Sequence, residues 1–384
     1  MVGEDTGSSS GGVSCADGDF EVLGVCYHPE ETPSILSARY VAAGDFDGDQ
    51  ATDLVTTCLG TVEALGICFL SAGGAIIKRD VAWMTSGNAQ VHAADFNADG
   101  VADVLVTEMY HFAVFSLDQG AFVELSSSEY DSDVHEAADA LMFPAVPIDL
   151  DQDGRAEVVA GSGFLGLRVW RFDALESMWV PSGERHGLFG CGDIADVRVV
   201  DLDGDAAPEL LALGSHNNCD ANLSPGSGWN RISVFARKPN ALELVPAGDF
   251  AAELAAYRFD VADFNNEDGA PDLVAAGKDD MMLFLGNGDR SFDPPTPLHE
   301  LARFIGTGPH AADFDGDGID ELTVEHGAGD YQVLVGFPSP QILALPSTVT
   351  KVRLVDDLNG DGHADIVSLS ASDKYPLVVS LSTP

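Results

Sequence analysis

The sequence predicts an all-β protein: a seven-bladed β-propeller of four-stranded antiparallel blades, its ring closed by an N-terminal strand. Two observations carry the prediction. An acidic loop motif, D-[FL]-[DN]-x-[DN]-G-x-x-[DE]-[LVI], begins at Asp45, Asp95, Asp149, Asp201, Asp263, Asp313 and Asp357, at spacings of 50, 54, 52, 62, 50 and 44 residues. Short apolar segments of strand character flank every copy, and no 3.6-residue stripe of helical length lies between copies.

Within each repeat the elements follow in a fixed order. A first strand (RYVAAG, QVHAA, ADVRVV, FDVA, VRLVD) leads into the acidic loop, and a second (DLVTTC, DVLVT, EVVAG, ELLALG) leaves it. A third has the character of GLRVWRF or ISVFAR, and LFLGNGD supplies turn glycines for a hairpin into the fourth. One sheet of about 50 residues cannot bury both of its faces alone, so neighbours stack. Stacking them radially closes a propeller. After the seventh loop only two further strands fit before Pro384, whereas residues 19–28 (DFEVLGVCYH) form an orphan strand before the first repeat. That segment is expected to complete blade seven. Residues 1–18 are then a flexible Gly/Ser/acidic leader, read as a tether left after removal of a signal or lipobox, and residues 19–384 a single propeller.

Composition narrows the function classes. With 18 basic against 63 acidic residues the net charge is −45, which argues against nucleic acid and anionic membrane as partners. Hydrophobic residues make up 45%, enough for a large core, yet no apolar run reaches the roughly 18 residues of a membrane helix. Six cysteines, none in a CxxC pair, favour disulfides over zinc and an extracellular, periplasmic or cell-surface location. Strand placement pairs Cys58 with Cys68, Cys15 with Cys26, and Cys191 with Cys219 across the long insertion 214–230. A monomer is expected.

Acids at positions 1, 3, 5 and 9 of a tight loop converge and repel unless a hard cation lies between them. An oxygen-only donor set in a flexible loop suits Ca²⁺ better than Mg²⁺. The expected ligands are Asp45, Asp47, Asp49 and Asp53; Asp95, Asn97, Asp99 and Asp103; Asp149, Asp151, Asp153 and Glu157; and Asp201, Asp203, Asp205 and Glu209. The remaining sets are Asp263, Asn265, Asp268 and Asp272; Asp313, Asp315, Asp317 and Glu321; and Asp357, Asn359, Asp361 and Asp365, giving up to seven calcium ions. Position 6 is the turn glycine, except at Gln50 and Ala206. Position 2 is Phe or Leu throughout, and is expected to plug the gap between adjacent blades. Asp320 is expected to face solvent.

On the face opposite these loops, His92, Arg198, Asp260 and His310 each stand three residues before the first Asp of their repeat. They are expected at one radial level near the central channel, where they could hold a small ligand or ion. Trp229, Tyr110 and Tyr331 are expected as exposed aromatics able to stack on a sugar or a protein partner. No catalytic motif stands out. The one G-x-S-x-G match lies in the leader, the His135, Glu136 and Asp139 trio falls short of HExxH, and the chain is nearly devoid of the basic clusters a polysaccharide lyase would need.

The seven loops, together with the hairpin LFLGNGDRSF, resemble the FG-GAP/VCBS repeat family known from integrin α-subunit propellers. Arg290 stands where that family usually has Gly. The resemblance implies a calcium-binding propeller in which calcium is structural. It also implies an adhesion-type module that recognises a protein or carbohydrate on the face opposite the calcium loops and has no catalysis of its own. Two alternatives from other classes are a polysaccharide lyase or hydrolase, or its propeller component, and a purely structural cell-envelope protein.

Overall fold

A computed structural model describes residues 15–36, 38–59, 65–81, 84, 89–108, 111–129, 142–161, 167–173, 178–186, 194–215, 230–237, 244–251, 256–265, 269–277, 280–298, 308–326, 329–370 and 376–383. The chain enters through β1 (Phe20–Val22) and β2 (Val25–Leu36). Blade one is β3 (Val41–Gly44), β4 (Asp53–Leu59), β5 (Leu65–Leu70) and β6 (Ile76–Asp80); blade two is β7 (Gln90–Ala94), β8 (Asp103–Glu108), β9 (His111–Asp118) and β10 (Ala121–Glu129). Blade three is β11 (Met142–Ile148), β12 (Glu157–Gly161), β13 (Leu167–Asp173) and β14 (Met178–His186); blade four is β15 (Ile194–Val200), β16 (Glu209–Ser215), β17 (Asn230–Arg237) and β18 (Leu244–Ala251). Blade five is β19 (Ala256–Ala262), β20 (Asp272–Gly277), β21 (Met281–Phe284) and β22 (Thr296–Pro297); blade six is β23 (His310–Ala312), β24 (Glu321–His326), β25 (Asp330–Val335) and β26 (Gln341–Ala344). Blade seven takes β27 (Thr350–Asp356), β28 (Asp365–Leu369) and β29 (Pro376–Thr383) and is completed by β2. Six sheets are sequential four-stranded meanders, and the seventh has the order β1-β2-β29-β28-β27.

Closure differs in detail from the expected single strand over residues 19–28. Leu23 (φ 52°) and Gly24 (φ 85°) form a two-residue turn that folds the segment into the β1–β2 hairpin. The pairing strand is β2, in register with β29 from Cys26↔Thr383 to Thr32↔Leu377, and β1 adds a fifth strand. Disulfides join Cys15 to Cys26 and Cys58 to Cys68, with Cα atoms 5.5 and 5.9 Å apart. Cys191, Cys219, Tyr110 and Trp229 lie outside the described residues, as does the leader up to residue 14.

Among the described residues the core comprises seven apolar clusters, each filling the space between two neighbouring blades. The position-2 residue of each loop belongs to the cluster shared with the next blade. Phe46, Phe96, Leu150, Leu202, Phe264 and Phe314 are buried there, while Leu358, at the seam between blades seven and one, is half-buried. Strand β8 is buried along its whole length, as expected of a strand sandwiched between two blades. Among the described residues, no helix is long and apolar enough to cross a membrane.

Candidate functional site: acidic loops and a central channel

The seven loops share one hydrogen-bond scheme. The position-9 acid accepts from the backbone N–H of position 2 in every loop, at 2.9–3.2 Å, tying the wedge residue to the start of the second strand. In six loops the position-1 Asp accepts from the N–H of position 6, as in Gly318 to Asp313 Oδ2 at 2.8 Å. In the same six, the position-5 acid accepts from the N–H of position 7. Position 6 is left-handed even where it is not glycine: Gln50 has φ 70° and Ala206 φ 62°. Both side chains therefore sit in a conformation that costs about 1–2 kcal/mol relative to glycine.

Adjacent loops are also stapled to one another. The position-8 N–H of one loop donates to the position-1 carbonyl of the loop before it, at Ala102–Asp45, Ala156–Asp95, Asp320–Asp263 and Ala364–Asp313, over 2.7–2.9 Å. Asp320 does not face solvent, contrary to expectation. Its carboxylate accepts from the Asp263 N–H at 3.0 Å, doubling the staple.

Among the described residues, four loops bring three carboxylates together, with ligand oxygens within 4.8 Å of one another: Asp45, Asp47 and Asp53; Asp149, Asp151 and Glu157; Asp201, Asp203 and Glu209; Asp313, Asp315 and Glu321. Oxygens around one Ca²⁺ lie about 2.3–2.6 Å from it, so mutual separations up to roughly 5 Å fit the ion. The other loops have Asn at position 3. There the Asn97 amide donates to Asp103 at 3.4 Å, Asn265 to Asp272 at 3.5 Å, and Asn359 to the Ser382 carbonyl at 3.1 Å. Asp268 lies outside the described residues.

The cluster of loop four, Asp201, Asp203 and Glu209, already holds a cation. Arg290, from the β21–β22 connection of the next blade, reaches Glu209 at 2.7 Å, Asp203 at 2.9 Å and Asp205 at 3.3 Å. Without such a cation the position-9 acids Glu321, Glu157 and Asp103 hold their protons to higher pH than ordinary carboxylates. Burial first, then neighbouring carboxylates, push Glu321 up to about 8, Glu157 to about 7 and Asp103 to about 6.

The inner strands converge on a cavity of about 730 Å³ lined from all seven blades, including Tyr40, Gln90, His92, Arg198, Arg258, His310 and Arg353. His92, Arg198 and His310, expected at one level, line it together. Asp260 stands beside them, its carboxylate 3.4 Å from Arg198 Nε. Arg198 also binds Asp196 at 2.7 Å and lies over the Phe259 ring. Burial, and then Arg198, push both His92 and His310 down to about 4, so both imidazoles are neutral at pH 7. Sequence reading missed Arg39, Arg258, Lys351 and Arg353, which also line this cavity. Contrary to the expected lack of basic clusters, they form one: Lys351 and Arg353 share one strand, and Arg39 and Arg258 join them only because the inner strands converge. Tyr331, expected to be exposed, is 2% exposed, packs between blades six and seven, and bonds Glu325 at 3.4 Å.

Residues 263–324 match the FG-GAP-like repeat. No curated protein matches the chain in sequence. Among solved structures it is similar to BBS1N in crystals of its complex with ARL6DN. One, soaked with lead, has TM-score 0.59, 11% identity and coverage of 92% of this chain and 95% of that one. The other, soaked with mercury, has TM-score 0.57, 10% identity and coverage of 92% and 96%. At such identities the likeness shows the propeller fold.

Proposed function

Starting from an FG-GAP-type propeller, we propose that this chain is a calcium-stabilised recognition module of the cell exterior. It presents its channel face to a protein or carbohydrate partner and has no catalysis of its own. The observation that carries the reading is the convergence of three carboxylates in loops one, three, four and six. Asp45, Asp47, Asp49 and Asp53, Asp149, Asp151, Asp153 and Glu157, and Asp313, Asp315, Asp317 and Glu321 are the sets that would hold calcium. The Asn-containing loops offer weaker sites. Bound calcium would supply the positive charge that cancels carboxylate repulsion and fixes the loops. The disulfides Cys15–Cys26 and Cys58–Cys68 support an oxidising location. The propeller of BBS1N, crystallised with ARL6DN, supports protein recognition as the role of such a ring. Melting with and without EGTA, alongside elemental analysis, tests the calcium reading. A higher melting temperature with calcium is expected; an unchanged one with no bound metal overturns it. A proteomic pull-down and glycan array test the partner.

One observation favours a second reading, a polysaccharide lyase or its propeller component: Tyr40, His92 and His310 stand among arginines at one cavity. Appearance of unsaturated sugar ends on incubation with acidic polysaccharides would establish it.

A further inference from the structure

We propose that the cavity at the centre of the ring is a binding site for a small organic anion bearing carboxylate or sulfate groups. This assigns a ligand to the channel face and so rests on the recognition reading. Arg39, Arg198, Arg258, Lys351 and Arg353 line the cavity against one lining acid, Asp196. Two more acids stand nearby: Asp260 on Arg198, and Glu325, which faces Arg353 and Lys351. Five of the 18 basic residues of a chain with net charge −45 thus gather in one concavity. Folding alone gives no reason to gather these cations, four of them half-buried and Arg39 exposed, around one cavity, because clustered like charges repel.

Unpaired polar atoms point the same way. His92 Nε2, His310 Nε2 and Arg353 Nε are buried without a protein hydrogen-bond partner. Each such group costs about 1–3 kcal/mol unless something in the cavity meets it. An oxyanion can accept from the arginine and, in the Nε2–H tautomer, from either imidazole. Arg198, already fixed by Asp196, Asp260 and the Phe259 ring, gives a preorganised edge that loses little entropy on binding.

The arrangement also selects for size. The acidic exterior repels a polyanion along its length, whereas a molecule that enters whole feels the focused field of the cavity. About 730 Å³ suits a ligand of one or two sugar rings.

Calorimetric titration of the full chain with succinate, sulfate and galacturonate at fixed ionic strength, with galactose as neutral control, tests the site. At least one anion is expected to bind once per chain and galactose not at all. Arg353→Gln should weaken binding roughly tenfold, Arg353→Lys less, and Arg171→Gln, an exposed control on blade three, not at all. Calcium-dependent melting of each variant checks its fold. No heat from any anion, an equal response to galactose, or undiminished binding by Arg353→Gln overturns the site. So does a preference for polygalacturonate over galacturonate, which instead favours an extended cleft. Failure here with a specific protein captured in the pull-down leaves the recognition reading standing.

Discussion

Arg290 occupies a backbone position with φ 69°, which is why glycine is the residue expected there. Its guanidinium compensates for the strain by meeting three carboxylates of the neighbouring blade. Arg290→Gln should therefore do two opposite things. Metal-free, the variant should lose about 2 kcal/mol, because Glu209 is left buried beside two acids; the partial exposure of Arg290 lowers the figure from that of a fully buried pair. In a calcium titration it should bind one ion more per chain than the parent. An unchanged stoichiometry would show that the guanidinium does not stand in for calcium. The seven acidic sets were legible because each lies within about ten consecutive residues. The role of Arg290 was not, because it lies 81 residues from Glu209 and depends on how two blades abut.

Blade interfaces are set by two devices of different legibility. The wedge at position 2 is visible in the sequence as an apolar residue among acids. The loop-to-loop staple is not, since it is a backbone bond between residues roughly 50 apart. Two of its interruptions can nevertheless be located: position 8 of loop four is Pro208, and the equivalent of loop five is Pro271, neither with an N–H to donate. Since proline is tolerated at both sites, Ala156→Pro should remove only the bond to Asp95 and cost about 0.5–1.5 kcal/mol. Chemical denaturation should show this as a lower midpoint with unchanged slope; no shift would mean that the staple contributes nothing. The closing segment has a strand-like pattern throughout, and only Gly24 marks the turn that splits it into β1 and β2.

Across the whole molecule, stability should depend on pH with a sign that calcium reverses. Glu321 titrates near 4.5 when unfolded and near 8 in the metal-free fold, so the stability it lends is full below 4.5 and gone above 8. Glu157 and Asp103 act in the same direction. His92 and His310 oppose them: their folded values near 4, against 6.5 unfolded, lend stability that is present above 6.5 and lost as pH falls to 4. Metal-free protein should therefore melt higher at about pH 5 than at pH 8. With calcium the loop acids stay ionised, the histidine contribution remains, and the order should invert. Scanning calorimetry at both pH values decides; the same slope with and without calcium contradicts the loop assignment. The ring was legible because seven copies repeat one signal. The cationic channel was not, because its five cations come one or two at a time from four different blades.

Blade seven is sewn from both ends of the chain: the Thr383 hydroxyl donates to the Cys26 carbonyl across 357 residues of sequence. That contact has the longest loop-closure path the fold could demand, so it is expected to form late. Until β29 is synthesised, β2 has no sheet to join, and the apolar seam of Ile35, Leu54, Val367 and Leu377 stays open. A prematurely terminated chain can build six blades yet still displays an unpaired edge to chaperones and proteases.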